Sequence, residues 1–299
     1  MSDQQHRQVV HTRGARTSDA PPEPPEARRQ RMRKFYYVRV ALLMAVFLAV
    51  AAWAWNDIRE RRERNAWVRP LHVGFVLLRA GPVSDATTEL LRARMSDLQS
   101  HLEQEFQRWR QTTQSPFVFS VYGPLDISAP PPESYGEKFT DLAFFAYQQW
   151  RYLRDVDARA QVPRSELDSR IYVVLRPPNT GELQFVEGQS EQGGRVGVVG
   201  VQLDESMVDF ALIVATHELM HTLGASDKYD EYGHVVVPDG LAEPDRVPTF
   251  PQQYFEVMAR NRPLSTELEE PPDALEQLRI GQKTAQEIGW VAPAAATTQ

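Results

Sequence analysis

Apolar and polar residues form alternating blocks along the chain that predict strands and helices in turn. Leu71–Leu78 is short and apolar, as a buried strand is, and Asp85–Gln111 follows it with apolar residues along one helical face. The same criteria predict further strands at Phe117–Tyr122, Arg170–Leu175 and Arg195–Leu203, and further helices at Glu137–Asp155 and Leu275–Trp290. Strand and helix therefore alternate, which predicts a domain that combines both.

The predicted helix at Glu137–Asp155 is rich in aromatic residues. They are Phe144, Phe145, Tyr147, Trp150 and Tyr152. Aromatic side chains bury large apolar areas in protein cores. We therefore expect this set to pack inside the domain rather than to form a ligand cage.

The apolar block nearest the amino terminus differs from the others in length. Val40–Trp55 contains sixteen residues without a charge, and Phe35–Arg39 extends the block to 21 residues. As a helix, this block measures about 31 Å, which matches a bilayer core of about 30 Å. Tyrosine and tryptophan residues lie at its edges, as in membrane aromatic belts. We predict a single transmembrane helix at 35–55; a buried globular helix and a cleaved signal peptide are the alternatives.

The flanking segments predict the surroundings of this helix. Residues 1–34 are basic and proline-rich, and we expect them to form a disordered tail. Residues 56–70 are charged and predict a helical stalk, and residues 291–299 predict a second disordered tail. Nine basic residues up to Arg39 favour a cytoplasmic amino terminus. The large domain, 71–290, is then expected on the periplasmic or outer side of a bacterial inner (cell) membrane.

Composition narrows the class of protein further. The chain has 299 residues and a formal net charge of −7, so the molecule as a whole is not expected to bind nucleic acid. It contains no cysteine, which excludes disulfide scaffolds, cysteine-ligated zinc and thiol catalysis. Its mean hydropathy is negative, which excludes a polytopic membrane protein.

The candidate chemistry lies in a segment that predicts a buried helix. His217 and His221 are four residues apart, so both imidazoles leave the same helical face, one turn apart. Two such imidazoles can occupy two positions of one tetrahedral zinc ion. Glu218 lies beside His217, where it can accept a proton from a zinc-activated water and pass it to the leaving amine. Ser206 and Asp209 are expected to form a capping box that opens this helix.

The residues after His221 extend the motif. Gly224 comes three residues later, where glycine permits the left-handed backbone that ends a helix. Asp227 follows after three more, an offset that lets a side chain beyond the turn reach back to the metal as third ligand. His234 and Glu243 are the alternatives for that third position.

The pattern HExxHxxGxxD, which runs from His217 to Asp227, resembles the zinc signature of the metzincin clan of metallopeptidases. It is similar to the variant with aspartate as third ligand, found in snapalysin-like enzymes, and to the immune-inhibitor-A-type bacterial proteases. The resemblance implies an α+β zincin fold, with a twisted mixed sheet and an active-site helix. It also implies a methionine turn beneath the zinc, for which Met258, 37 residues after His221, is the candidate.

Several other polar residues near the motif could also bind a metal or take part in catalysis. Tyr229, Tyr232 or Tyr254 could ligate zinc or donate to an oxyanion, as a tyrosine does in some metzincins, although each is expected to be structural. The acidic run Asp227–Glu231 could hold calcium but lacks an ordered ligand spacing. We therefore predict zinc as the cofactor.

These predictions combine into a membrane-anchored zinc endopeptidase with Glu218 as general base. Its substrate is expected to be a peptide or protein that adds an extended strand to an edge strand at Arg195–Leu203. The predicted partners are a polypeptide substrate and the membrane, with no nucleic acid. A catalytically silent zincin-fold binding protein and a non-peptidase zinc hydrolase are the alternatives, and the intact Glu218 argues against the first.

Overall fold

The computed structural model describes residues 25–132, 138–178, 188–190 and 192–291. Its contacts divide the chain into two units, Met1–Asp57 and Ile58–Gln299. The predicted disordered tails fall largely on residues 1–24 and 292–299, which lie outside the described residues.

One long helix, α1 (Pro25–Arg64), includes the predicted membrane segment. From Phe35 onward it is long and apolar enough to cross a membrane, with a mean hydropathy of 2.1 over its most apolar window, none of which is buried. The helix begins before that segment, at Pro25, so it includes residues 25–34.

The second unit contains the remaining helices and strands. In chain order they are β1 (Leu71–Arg79), α2 (Asp85–Trp109), β2 (Phe117–Asp126), α3 (Phe139–Arg159), β3 (Ser169–Arg176), β4 (Gly188–Ser190), β5 (Val196–Gln202) and α4 (Val208–Thr222). Short elements follow: β6 (Phe255–Glu256), β7 (Arg262–Pro263), β8 (Glu269–Glu270), β9 (Leu278–Arg279) and α5 (Gln282–Glu287). The helix predicted at Leu275–Trp290 is broken into a 3₁₀ turn, β9 and α5, because Gly281 has extended backbone immediately before α5.

The main sheet has the strand order β2-β1-β3-β5-β4. Neighbouring strands are parallel, except that β4 runs antiparallel to β5. The prediction of a mixed sheet is confirmed, but the segment Arg195–Leu203 is not an edge strand. It forms β5, which pairs with β3 on one side and with β4 on the other, because Gly188–Ser190 lies along it.

Alternate residues of the interior strand β1 face two different cores. Val73, Phe75 and Leu77 join the core that contains α2 and α4, whereas Val76 and Leu78 join the core that contains the end of α3. Since side chains alternate along a strand, α2 and α4 lie on one face of the sheet and α3 on the other. Burial on both faces explains why the strand is apolar almost throughout.

The aromatic residues of α3 do not all pack inside the domain. Leu153 and Val156, near its carboxyl-terminal end, pack in the core against the sheet. Phe144, Tyr147 and Trp150 are 62%, 55% and 48% exposed. The expectation of core packing is wrong for these three residues, because only the carboxyl-terminal half of α3 joins the core.

Residues predicted to form a stalk are part of the second unit. Arg64 and Trp67 are buried, and Nε1 of Trp67 donates to the carbonyl oxygen of Ile288 at 2.7 Å. The second unit accordingly includes residues 58–70, which precede the predicted start of the domain at Leu71.

Candidate metal centre

Apolar side chains bury the helix α4 inside the domain. Leu212, Leu219 and Met220 are at most 1% exposed and belong to the core on that face of the sheet. His217 and His221 are partly buried and line a cleft. A helix fixed by its core contacts gives these two imidazoles a rigid support.

The amino-terminal end of α4 is capped differently from the prediction. A 3₁₀ turn, Glu205–Met207, precedes the helix, and the carboxylate of Asp204 accepts from the N–H groups of Ser206 and Met207 at 2.8 and 3.1 Å. The predicted capping box of Ser206 and Asp209 is therefore wrong. Asp209 instead pairs with Arg94 at 2.7 Å, because its side chain points to α2.

A backbone carbonyl orients each imidazole. Nδ1 of His217 lies 2.9 Å from the carbonyl oxygen of Val257, and Nδ1 of His221 lies 2.9 Å from that of Ala225. Since a carbonyl oxygen can only accept, each Nδ1 carries a proton and donates it. Each Nε2 is then either protonated, and able to donate to the carboxylate of Asp227, or unprotonated in the neutral ring, which is the form that binds a metal.

Asp227 approaches the two imidazoles from beyond a tight turn. Gly224 makes that turn with a φ of +104°, and its N–H donates to the carbonyl oxygen of His221 at 2.9 Å. Oδ1 of Asp227 lies 3.2 Å from Nε2 of His217 and 3.1 Å from Nε2 of His221. Ligand atoms at tetrahedral angles and about 2.0–2.1 Å from one zinc ion lie about 3.3 Å apart. The observed spacing fits such an ion.

The alternatives for the third position lie elsewhere. Neither His234 nor Glu243 is among the described residues that line the cleft. His234 is exposed, and its N–H donates to the carboxylate of Asp230 at 2.9 Å. The carboxylate of Glu243 accepts from the N–H of Gln253 at 3.0 Å, so it holds its own loop.

The three tyrosines differ in their distance from the centre. Tyr229 lines the cleft, and its ring stacks on that of His217 with a centroid distance of 6.3 Å. Burial, together with the neighbouring Asp227 carboxylate, raises the pKa of Tyr229 to about 12, so its phenol stays protonated at neutral pH. Tyr232 is 78% exposed, and Tyr254 lies under an arginine guanidinium at 3.8 Å.

The charges of the cluster favour an ionised carboxylate. Burial raises the pKa of Asp227, but the hydrogen bonds with His217 and His221 outweigh it and hold the pKa well below its usual range. Burial lowers the pKa of His221, but its bonds to Asp227 and to the carbonyl oxygen of Ala225 raise the pKa above its usual value. Asp227 is therefore ionised at neutral pH, as a metal ligand must be.

Glu218 presents a buried carboxylate at the same place. It is 4% exposed, and ligand atoms from His217, Glu218 and His221 all lie within 4.8 Å of one another. Its Oε2 atom is buried and has no hydrogen-bond partner among the described residues. Burying an unpaired carboxylate oxygen costs free energy, which favours a bound ion or water beside it. Gly188 of β4 leaves room for this side chain, since a Cβ there would come within 1.7 Å of Oε1.

Met258 lies in a buried turn next to the cluster. It is fully buried, in the same core as Leu219 of α4. Its carbonyl oxygen accepts from the N–H of Lys228 at 2.9 Å, and the carbonyl of the preceding Val257 orients His217. The turn therefore links the segment that carries the aspartate to the helix that carries the histidines.

A second buried carboxylate, Glu256, supports this turn. It is fully buried and accepts from the N–H groups of Met258 and Gly281 and from the hydroxyl of Thr284. Burial raises the pKa of Glu256 to about 7, although these hydrogen bonds partly oppose the rise.

The cluster opens into a cleft of about 1190 Å³. Its wall along α4 is apolar before the first histidine, with Phe210, Ile213 and Val214 one to two turns from His217. The other lining residues come from α3 (Phe145, Gln149), β4 (Gly188, Ser190), the turn before β5 and its first residue (Gln192, Arg195, Val196), β6 (Phe255) and the loops after α4 (Ser226, Tyr229, Val257, Ala259, Arg260, Asn261, Pro271 and Pro272). A cleft of this size accommodates several residues of an extended polypeptide.

Two contributions to the site could not be found from sequence patterns. Gly188 and Ser190 line the cleft, but β4 is too short to give an alternating pattern. Val257 and Ala225 act through their carbonyl oxygens, which every residue type supplies. The predicted ligands, by contrast, carry distinctive side chains, and the structure brings His217, His221 and Asp227 together.

Comparison with known proteins finds distant structural neighbours and no family match. No protein-family model matches the chain, and no curated protein matches it. Archaemetzincin from Methanopyrus kandleri is similar at 18% identity over 52% of this chain and 76% of its own, with a TM-score of 0.29. OgpA from Akkermansia muciniphila is similar at 13% identity over 72% of this chain and 58% of its own, with a TM-score of 0.35. Catalytically inactive OgpA in complex with an O-glycopeptide substrate, glycodrosocin, gives 12% identity, 76% and 62% coverage, and a TM-score of 0.37. These low values assign the chain to no family, and its function is inferred from the site itself.

Proposed function

We propose that this chain is a membrane-anchored zinc endopeptidase. The observation that carries the proposal is the convergence of His217 Nε2, His221 Nε2 and Asp227 Oδ1 beside the buried carboxylate of Glu218. Two neutral imidazole nitrogens and one carboxylate oxygen form a donor set that suits catalytic zinc, which keeps its fourth position open. The HExxHxxGxxD pattern, read by resemblance, agrees with this assignment.

The residues of the site divide into ligands and a base. His217, His221 and Asp227 hold the ion, and zinc, when bound, polarises the scissile carbonyl and lowers the pKa of water. Glu218 accepts the proton of the attacking water and delivers it to the leaving amine. The carbonyl oxygens of Val257 and Ala225 hold the two imidazoles so that both Nε2 atoms face the same metal position.

A polypeptide substrate fits the edge of the sheet. Among the described strands, β4 is the edge next to the site, and its Gly188 and Ser190 line the cleft. An extended peptide can pair with such an edge through main-chain hydrogen bonds. Since Gly188 lies against the Glu218 carboxylate, a peptide paired with β4 passes beside the general base. We therefore propose β4, rather than the segment Arg195–Leu203, as the substrate-binding strand.

Zinc content and cleavage of an unstructured protein test this function together. The purified full chain is expected to bind one zinc ion and to cleave fluorescent casein. Glu218→Gln keeps the shape of the side chain but removes the proton acceptor, so zinc should remain while the rate falls by about 10²–10⁴. Glu205→Gln, at an exposed position before α4, is the matched control. Cleavage unchanged in Glu218→Gln would contradict the mechanism; zinc without cleavage in the wild type would favour a silent binding protein or a non-peptidase hydrolase.

The proposed anchor has a separate test. The apolar part of α1 is long enough to span a bilayer, and a signal sequence has the same composition. The intact chain is expected to stay in the membrane fraction in alkali and high salt, with its domain outside the cytoplasm. A reporter fused after Gln299 that works only outside the cytoplasm should then be active. A chain that is cleaved near residue 55, or one whose reporter is silent, would contradict the anchor or its orientation.

A further inference from the structure

The last turn of α1 holds a short glycine turn beside the active site. Residues 192–194 follow β4 and lead into β5. The guanidinium of Arg64 donates to the carbonyl oxygens of Gly193 and Gly194 at 2.9 Å each, and to that of Asp168 at 3.3 Å. Arg64 is 5% exposed, so these bonds are shielded from water and hold the turn firmly.

The same glycine turn contacts the carboxyl-terminal end of α4. The N–H of Gly193 donates to the carbonyl oxygen of His221 at 2.8 Å. Beside it, Nδ2 of Asn65 donates to the carbonyl oxygen of Leu223 at 2.8 Å. Together with the N–H of Gly224, these donors satisfy carbonyl oxygens at the end of α4, where the helix itself supplies no partner. Arg64 therefore acts on one turn that joins the edge of the sheet to the helix of the two histidines.

The backbone of this turn lies close to a side chain of α1. Gly193 has a φ of +72°, a left-handed conformation that favours glycine. A Cβ at Gly193 would lie 2.6 Å from Nη1 of Arg61, which itself donates to the carbonyl oxygen of Gln192 at 3.2 Å. Side chains of α1 thus hold this turn together with its own Gly193 and Gln192.

We propose that Arg64 is a positioning residue for peptide binding, an inference that rests on the proposed function. By fixing residues 192–194, Arg64 fixes the end of β4, the edge that pairs with the peptide. Its planar fork reaches separate carbonyl oxygens at once, which a lysine ammonium cannot reproduce in the same geometry. Loss of the guanidinium should make the peptide-binding edge β4 more mobile, while the metal ligands keep their positions.

The test compares KM with kcat in the full chain in detergent. Arg64→Met keeps much of the buried apolar stem but removes every donor. We expect KM for a quenched-fluorescence peptide that the wild type cleaves to rise at least tenfold. Zinc content should equal that of the wild type, and kcat should fall less than KM rises. Arg64→Lys should give an intermediate KM, and Arg62→Met, at an exposed position two residues earlier, should change neither constant.

The possible outcomes are distinct. An unchanged KM in Arg64→Met, or a loss of zinc and kcat with no change in KM, would overturn the positioning role. If Arg64→Met does not fold, Arg64→Lys and Gln192→Ala decide by the same KM criterion, since exposed Gln192 ties the same turn to the carbonyl oxygen of Gly224 at 2.8 Å. A wild type without zinc or without Glu218-dependent cleavage contradicts the proposed function instead, and this is measured first.

Discussion

Replacement of Gly188 by alanine should separate catalysis from folding in this protein. A Cβ at this position would lie 1.7 Å from Oε1 and 2.4 Å from Cδ of Glu218, whereas ordinary contacts begin at 3.4 Å. The Glu218 carboxylate must therefore move by well over an ångström, or β4 must move away from α4. Either movement separates the proposed general base from a peptide that pairs with β4, as proposed above.

The two effects of Gly188→Ala differ in size. The atoms that must give way belong to the end of a flexible side chain, so the cost in folding free energy should stay within about 1–3 kcal/mol, as for other overpacked sites. A displacement of about 1 Å at a reacting group can reduce the rate by about 10²-fold, and complete loss of a general base by about 10²–10⁴-fold. We therefore expect kcat/KM to fall by about two orders of magnitude or more, with zinc retained.

The assay measures kcat/KM on one fixed peptide, zinc content by elemental analysis and the melting temperature. Gly200→Ala in the neighbouring strand β5 is the matched control, because the nearest atom to its Cβ would be Cζ of Arg176 at an ordinary 3.7 Å. The control should resemble the wild type in all three measurements. Wild-type kcat/KM in a folded, zinc-loaded Gly188→Ala would refute the placement of the peptide between β4 and Glu218.

Three further predictions follow from the site and its supports. Asp227→Ala should weaken zinc binding more than Glu218→Gln does in a competition titration with a chelating dye; equal affinities would remove Asp227 from the ligand set. The pKa of Glu256 is about 7 in the folded protein, whereas its ordinary value is 4.5. The free energy of unfolding should therefore fall as the pH rises from 4.5 to about 7. The loss amounts to roughly 1.4 kcal/mol for each unit of pKa difference. Glu256→Gln should flatten this dependence in urea unfolding measured across that range, and an unchanged slope would exclude Glu256 as its source. A fragment that begins at Ile58 should melt at a higher temperature than one that begins at Ala66, because the second lacks the buried Arg64; equal melting temperatures would show that the end of α1 is dispensable.

The elements that could be predicted from sequence are those whose burial follows from local periodicity. Leu71–Leu78 is apolar because both faces of β1 are covered, and the four-residue spacing of His217 and His221 fixes their common face on α4. The position of Asp227 could be predicted less well from sequence, because it depends on the direction that the chain takes after Gly224. Sequence spacing shows how far a side chain can extend, whereas the geometry of the turn decides which atoms it reaches.

The features that could not be predicted depend on contacts across the fold. Among the described strands, β4 and not β5 is the edge of the sheet next to the site. β4 consists of three residues that carry no distinctive sequence pattern. Phe144, Tyr147 and Trp150 have core-like side chains, but no described core residue of the sheet covers that half of α3. Asp204 caps the turn before α4, whereas Asp209 pairs with Arg94, a residue far from it in sequence.

The two carbonyl oxygens that orient the imidazoles have a consequence for how such a site can diverge. Substitutions at Val257 or Ala225 change a side chain but leave the oxygen in place, provided that the backbone path is kept. The ring orientations are therefore inherited with the path of the chain and are largely insensitive to the identity of the supporting residues. Mutations can accumulate around the centre while the four-residue histidine spacing persists.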